Sequence, residues 1–184
     1  MSVTDRLRLP TDVPTLPPEG RRAAVSVIFG PEDELLFIHR AERVGDLWSG
    51  HMAFPGGRED PDDPSLLHTA LRETHEELGL DLSGATLVGA LSPLSSPRGV
   101  QKVMQVVPWV FRLPVWPALR PNEEVAGVSR LAFGRFLARE ARGTFEYDWQ
   151  GTTWTLPCVR LDGTLLWGMT LRMVDELIEH AERA

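Results

Sequence analysis

Three glutamates, Glu73, Glu76 and Glu77, are the side chains whose type and spacing best suit chemistry. In a helix, residues at relative positions 0, +3 and +4 lie on one face, so three carboxylates are expected on one small patch. Like charges at this spacing repel, and a divalent cation between them would turn the repulsion into binding. Mg²⁺ takes oxygen ligands and commonly meets phosphate groups while few carboxylates hold it. The alternative is an ordinary solvated helix face on which Arg72 pairs with Glu76.

The sequence around the glutamates predicts a helix with readable ends. Asp63 suits the N-cap and Pro64 the first helical position, where a missing N–H costs nothing. Gly79 suits the position just past the last turn. A mostly apolar stripe is expected to face a core, with the three glutamates on the opposite side. The stripe consists of Leu66, Leu67, Ala70, Leu71, Thr74 and Leu78.

The region from Gly56 to Leu80 resembles the signature box of the Nudix hydrolases, G-x5-E-x7-R-E-U-x-E-E-x-G-U, where U is aliphatic. Residues 72–80, RETHEELGL, match its second half, with Thr74 at an aliphatic position. In the first half Asp63 replaces the glutamate, and Arg72 lies one residue further along. An extra residue at this point is a feature of the coenzyme A-directed branch, which this segment resembles. Residues 54–63, FPGGREDPDD, are similar to the F-P-G-G-[KR]-x-D-P-x-D run of that branch, and residues 69–73, TALRE, are similar to its T-A-L-R-E run.

Three segments outside the box also resemble the coenzyme A pyrophosphatase branch. Residues 36–41, LFIHRA, are similar to an L-L-T-x-R-S run in which Arg40 matches. Residues 122–125, NEEV, are similar to N-x-x-E-V, and residues 166–170, LWGMT, to a Trp-Gly-x-Thr run. The resemblance implies an α+β fold of the Nudix α/β/α sandwich type with a mixed β-sheet, and it implies cleavage of a diphosphate linkage.

The resemblance also implies a metal site that holds Mg²⁺ or Mn²⁺. Its ligands would be the carboxylates of Glu73, Glu76 and Glu77 and the backbone carbonyl of Gly56, where the lack of a Cβ allows a close approach. Arg72 would orient Glu73 or Glu76 by a bidentate pair.

A general base is expected to activate the attacking water. Glu124 fits this role because it lies in a turn ahead of a strand, and Glu73 is the other candidate. An ordinary solvated loop charge is the alternative for Glu124.

The substrate's phosphates need cationic partners, and guanidinium groups suit oxyanions. Arg40, Arg43 and Arg58 are the candidates, with Gly57 in the glycine loop beside them. Further candidates, for stacking an adenine or lining a pantetheine channel, are Trp48, Phe54 and Trp167. Exposed arginines and core aromatics are common, so ordinary structural roles are the alternatives.

Composition indicates a compact soluble domain. The chain has 184 residues, 42% of them hydrophobic, and 26 acidic against 19 basic residues, which argues against a nucleic-acid polymer as partner. Its single cysteine, Cys158, excludes an internal disulfide. No apolar stretch reaches membrane-spanning length and no signal-peptide core precedes the domain, so we expect no membrane association and a cytoplasmic location. A homodimer is possible.

The chain divides into a proline-containing extended arm, residues 1–20, and one Nudix-type domain, residues 21–184. Apolar runs and turn residues predict the elements of this domain. The predicted strands are Ala23–Phe29, Glu34–His39, His51–Phe54, Ala85–Leu91, Lys102–Phe111, Val125–Leu131, Phe145–Tyr147, Thr152–Pro157 and Val159–Leu166. Besides the box helix, helices are predicted at Leu131–Ala141 and Met169–Ala184.

The sequence therefore predicts a metal-dependent pyrophosphohydrolase. Its expected substrate is a small nucleoside diphosphate derivative, foremost coenzyme A or an acyl derivative, cleaved to 3′,5′-ADP and a 4′-phosphopantetheine product. ADP-ribose, nucleotide sugars and dinucleoside polyphosphates are the alternatives. A catalytically inactive Nudix-fold binding module is another, although inactive relatives usually lack one or more of the box glutamates.

Overall fold

The computed structural model describes residues 2–12, 15–16, 20–42, 50–96, 103–149 and 151–183. Within them the chain forms four helices and eleven strands. The helices are α1 Val3–Arg6, α2 Leu66–Leu78, α3 Phe133–Leu137 and α4 Gly168–Arg183. The strands are β1 Arg21–Phe29, β2 Glu34–Arg40, β3 Met52–Ala53, β4 Gly56–Arg58, β5 Thr86–Ala90, β6 Leu94–Ser95, β7 Met104–Arg112, β8 Val125–Ala132, β9 Arg142–Trp149, β10 Thr152–Leu161 and β11 Thr164–Trp167.

The larger of two sheets is mixed and is built around β1. Strands β3-β2-β1-β7-β5 form its main path, while β4 pairs with β1, β6 with β7 and β8 with β2. β1 and β7 run parallel, from Arg21 opposite Met104 to Phe29 opposite Arg112, and the other pairs are antiparallel. The smaller sheet is antiparallel, in the order β11-β10-β9.

Helices cover both faces of the larger sheet. Because side chains alternate along a strand, Ala24 and Ile28 of β1 face one way and Val27 and Phe29 the other. The first pair packs in a core with Leu66, Ala70 and Leu78 of α2. The second pair packs in a core with Leu171, Val174 and Ile178 of α4. This arrangement confirms the predicted α+β sandwich with a mixed sheet.

The box helix starts later than predicted. Its N-cap is Ser65, whose hydroxyl accepts a hydrogen bond from the His68 amide at 3.2 Å, so Asp63 and Pro64 precede the helix. Asp63 is not the cap because its carboxylate is bound to Arg72. The predicted end is confirmed: Gly79 takes the left-handed conformation, with φ +61°, and its amide donates to the His75 carbonyl.

Several other elements differ in extent from their predictions. Val3–Arg6 of the arm form one helical turn, with Val3 and Leu7 buried. The glycine loop joins the larger sheet as β4. The helix predicted from Leu131 is shorter because Leu131 and Ala132 end β8. The strand predicted over 159–166 is interrupted by a turn at Asp162–Gly163, and Lys102 lies outside the described residues.

No helix among the described residues is both long enough and apolar enough to cross a membrane.

Replacing the glycine that ends the box helix should destabilise the protein. In Gly79→Ala, the new Cβ would lie in a left-handed backbone conformation, 3.1 Å from the Arg120 Cβ. We expect a loss of about 1 kcal/mol in the free energy of unfolding, measured by urea denaturation. Gly84→Ala is the matched control, because Gly84 lacks a positive φ and a Cβ there would meet no atom within 4 Å. Equal effects of both substitutions would contradict the assignment.

Candidate active site

Two buried hydroxyl groups fix the box helix on the sheet. The Thr74 hydroxyl oxygen lies 2.8 Å from the Ser26 hydroxyl oxygen and 2.7 Å from the Ala70 carbonyl oxygen, so its one proton lies between two acceptors. The Ser26 hydroxyl reaches the Ala70 carbonyl at 3.1 Å. Both side chains are fully buried, and these contacts satisfy their polar groups. The presence of Thr74 at an aliphatic position of the box pattern was the signal for this pair, which sequence reasoning missed.

Glu77 faces the sheet rather than solvent, contrary to the prediction that all three glutamates lie away from the core. It is 2% exposed, and its carboxylate accepts a hydrogen bond from the Gly56 amide at 2.9 Å. Burial raises the pKa of Glu77 to about 7; the Gly56 amide and Arg40 oppose this shift, whereas Glu73 and Glu124 add to it. Glu77 is thus a buried carboxylate in an acidic surrounding.

The two glycines of the loop are required by close approaches of other groups. Gly56 has φ +150°, and a Cβ there would lie 2.3 Å from the Ala24 carbonyl oxygen. A Cβ on Gly57 would lie 2.4 Å from the Glu73 carboxylate carbon. The loop therefore lies directly against the sheet on one side and against Glu73 on the other.

Arg72 is the centre of the polar network, and its N–H groups bind four partners. Nε and one Nη donate to the two oxygens of Asp63, at 3.0 and 2.9 Å. The other Nη donates to Glu73 at 3.0 Å and Glu76 at 3.2 Å, and the Arg58 carbonyl accepts a bond of 3.0 Å. The predicted bidentate pair thus exists, but its partner is Asp63 rather than Glu73 or Glu76.

The two outer glutamates differ in their surroundings. The Glu73 side chain is 17% exposed, and burial raises its pKa, with Arg72 opposing the shift and Glu76 and Glu124 adding to it. The Glu76 side chain is 53% exposed and contacts Arg72. The pair of Arg72 with Glu76, expected for an ordinary helix face, is therefore present within the larger network.

Glu124 lies on the same side of the molecule as the box glutamates. It precedes β8, where its amide donates to the Asn122 side chain at 2.8 Å and its carbonyl accepts from the Ala41 amide at 2.8 Å. Its carboxylate is near enough to raise the pKa of both Glu73 and Glu77. The structure thus brings the distant Glu124 to the box.

The predicted substrate-binding residues have different surroundings. Arg40 ends β2 and interacts favourably with the Glu77 carboxylate, and its amide donates to the His51 carbonyl at 3.0 Å. Arg58 lies at the surface at the end of β4. Phe54 is only 3% exposed and stacks on Phe37 at 4.8 Å, so it is a core residue rather than a substrate contact. Arg43 and Trp48 lie outside the described residues.

Comparison with known proteins identifies the family. A model described as the NUDIX domain matches residues 20–149. The chain therefore belongs to the Nudix family, as the box predicted, and it is a Nudix pyrophosphohydrolase. The chain is 33% identical over 163 residues to "Uncharacterized Nudix hydrolase NudL" from Yersinia pestis (strain Pestoides F). This alignment covers 87% of this chain and 79% of that protein.

Solved structures share the fold. An Ap4A hydrolase from C. elegans aligns with a TM-score of 0.54 at 20% identity, over 64% of this chain and 84% of that one. A MutT protein from Methanosarcina mazei Go1 aligns with a TM-score of 0.56 at 17% identity, over 89% and 93% of the two chains. At these identities the likeness concerns the fold alone.

Removing the charge of Asp63 should lower stability in a pH-dependent way. The hydrogen bonds from Arg72 hold the pKa of Asp63 well below its usual range. The stabilisation is therefore fully present above the unfolded-state pKa of about 4 and is lost as pH falls toward the folded-state pKa. Asp63→Asn should cost roughly 2 kcal/mol at pH 7.

The measurement is urea unfolding of both proteins between neutral pH and the lowest pH at which both fold. The difference in unfolding free energy should stay constant down to about pH 5 and shrink below about pH 4. Asp62→Asn is a matched control, because Asp62 is exposed beside the same turn. A difference that grows on acidification would contradict the role of Asp63.

Proposed function

We propose that the protein hydrolyses the diphosphate linkage of coenzyme A or acyl-coenzyme A, releasing 3′,5′-ADP and 4′-phosphopantetheine or its acyl form. The two-pronged contact between Arg72 and Asp63 is the observation that carries this proposal. The coenzyme A-directed box has one extra residue before its arginine, and here the carboxylate at the altered position still meets that arginine. The departure from the general box therefore keeps a contact between this arginine and a carboxylate.

The three flanking segments that resemble the coenzyme A branch support the same proposal, because contacts connect them. Arg40, from the first segment, pairs in register with Val125, next to Glu124 of the second. Trp167, from the third, contacts His51 at 4.8 Å between ring centroids. The Thr170 hydroxyl donates to the Met52 carbonyl at 3.4 Å, on the strand that leads into the glycine loop. Segments distant in sequence thus meet around His51 and Met52, ahead of the glycine loop.

Mg²⁺ or Mn²⁺ is the cofactor of this proposal, with Glu73, Glu76, Glu77 and the Gly56 carbonyl as ligands. Oxygen donors suit these hard cations, and the buried Glu77 carboxylate with its acidic neighbours favours a positive charge beside it. When bound, such an ion neutralises the diphosphate charge and lowers the pKa of a water molecule.

The ligands need to rearrange to hold an ion. Among the described residues, no group of three or more His, Cys, Asp or Glu side chains is already placed to do so. Glu73 and Glu76 each accept a hydrogen bond from Arg72 instead. We propose that these two carboxylates exchange part of this contact for the ion, while Asp63 keeps Arg72 in place.

Side chains and backbone groups of the protein are proposed to bind the diphosphate and to activate the attacking water. Arg40, which interacts with Glu77, is the proposed ligand of a diphosphate oxygen, with Arg58, Arg43 and Gly57 as further candidates. Glu124 is the proposed base that takes the proton of the attacking water, and Glu73 is the alternative. ADP-ribose, nucleotide sugars and dinucleoside polyphosphates are the competing substrates.

A substrate comparison tests the function. With Mg²⁺ or Mn²⁺, the purified protein should convert coenzyme A to 3′,5′-ADP and 4′-phosphopantetheine, identified by mass. Glu73→Gln should lower turnover by about 100-fold or more, since it removes a proposed ligand or base. Glu179→Gln is the control, because Glu179 lies in an exposed pair with Arg183 on α4. Preferred cleavage of ADP-ribose with coenzyme A left intact would refute the substrate assignment and leave the enzyme class standing.

A pair of neighbouring substitutions tests the general base. Glu124→Gln should lower kcat by about 100-fold to 10,000-fold while the fold is kept. Glu123→Gln is the matched control, since it removes the adjacent, exposed carboxylate of the same turn. Single-turnover rates of both variants give the answer. If Glu124→Gln retains wild-type kcat, Glu124 is not the base, and Glu73 is the remaining candidate.

A further inference from the structure

The smaller sheet has one face in the core and one face rich in aromatic side chains. Val159, Leu161 and Leu166 belong to the core that contains α4. Because side chains alternate along strands, the residues between them lie on the opposite face. Five aromatic residues share that face, and we call them the aromatic platform. They are Phe145, Tyr147, Trp149, Trp154 and Trp167.

The rings of the platform contact one another while remaining partly open to solvent. Tyr147 and Trp149 are nearly parallel, with 13° between their planes and 6.3 Å between centroids. Trp167 contacts Tyr147 at 4.8 Å and Phe145 at 5.1 Å. Trp154 lies across the strand pair from Tyr147 and is 53% exposed. A half-open cluster of large rings has a free-energy cost in water that a bound partner would offset.

The platform is continuous with the candidate active site. Trp167 contacts the His51 ring at 4.8 Å. The His51 carbonyl accepts a hydrogen bond from the Arg40 amide, and Arg40 interacts with the Glu77 carboxylate. From Trp167 the rings extend along β9 toward the tip of the β9–β10 hairpin. The rings are therefore joined through His51 to the strand end that carries Arg40, the candidate ligand of a diphosphate oxygen.

We propose that the aromatic platform binds the nucleobase of the substrate by stacking. This inference rests on the proposed function, since it places the base of the same diphosphate substrate. The platform consists of flat π-faces, with Leu156 as the aliphatic residue between Trp154 and Cys158, which favours a planar heterocycle over an alkyl chain. β10 and β11 lie beyond the residues that match the NUDIX domain, so much of this surface is an addition to the domain.

Binding measurements can distinguish the affinity that the nucleobase contributes from the affinity that the diphosphate contributes. Calorimetric titration with ADP and with inorganic pyrophosphate, both without added metal so that nothing is hydrolysed, compares a ligand that has a base with one that lacks it. Trp154→Ala should weaken ADP binding roughly 10-fold or more and leave pyrophosphate binding unchanged. Trp154→Phe, which keeps a ring, should restore most of the affinity. Val115→Ala is the control, at a 66% exposed apolar residue in the loop after β7.

The possible results distinguish a failure of the base-binding proposal from a failure of the proposed function. With coenzyme A as substrate, Trp154→Ala should raise KM more than it lowers kcat. If Trp154→Ala binds ADP like the wild type, the platform is not a base site, whatever the enzyme cleaves. If the wild type cleaves no coenzyme A and Trp154→Ala still loses ADP affinity, the proposed substrate is wrong and the platform stands. If Trp154→Ala instead turns a dimer into a monomer in sedimentation, the surface joins two copies and the proposal is overturned.

Discussion

The guanidinium of Arg72 is the group on which the arrangement of the site depends. It joins the loop before the helix, through Asp63 and the Arg58 carbonyl, to the helix itself, through Glu73 and Glu76. Four acceptors around one planar cation hold each other at fixed distances, and three of them carry negative charge. Without that cation the carboxylates would repel, and the loop would keep only its other contacts with the helix, such as the hydrogen bond from the Gly56 amide to Glu77.

A second constraint acts on the buried side of the same helix. Ser26 and Thr74 set the height of α2 on β1, and Gly56 pairs with Val25 of that strand. Together these contacts bring the Gly56 amide to the Glu77 carboxylate. One turn of helix thus presents Glu77 to the sheet while Glu73 and Glu76 remain with Arg72. The acidic group is therefore divided between one buried carboxylate, Glu77, and two more accessible ones.

The order of elements and the end of the box helix could be predicted because they depend on local patterns. Gly79 suits the left-handed position that ends a helix, and the short apolar runs of β1 and β2 favour strands. The burial of Glu77 could not be predicted in this way, since it depends on the glycine loop pairing with β1 as a strand. The start of the helix was missed because Asp63 suits an N-cap locally, and only the tertiary contact with Arg72 decides between Asp63 and Ser65. The turn at Asp162–Gly163 was a readable signal, because Asp-Gly favours the tight hairpin turn that both positive φ angles confirm.

The aromatic residues of the C-terminal sheet illustrate the same division between local and tertiary information. Phe145, Tyr147 and Trp149 alternate with exposed polar residues, so the pattern predicts a strand with one apolar face. An apolar face is normally a core face, but here the core is on the side of Val159 and Leu161. β10 determines which face of this sheet meets the core. Its residue Trp154 is exposed near the hairpin tip, whereas Val159 and Leu161 are buried where β10 meets α4. Because α4 occupies one face of this sheet, the rings are left on the other, beside the strand that leads into the glycine loop.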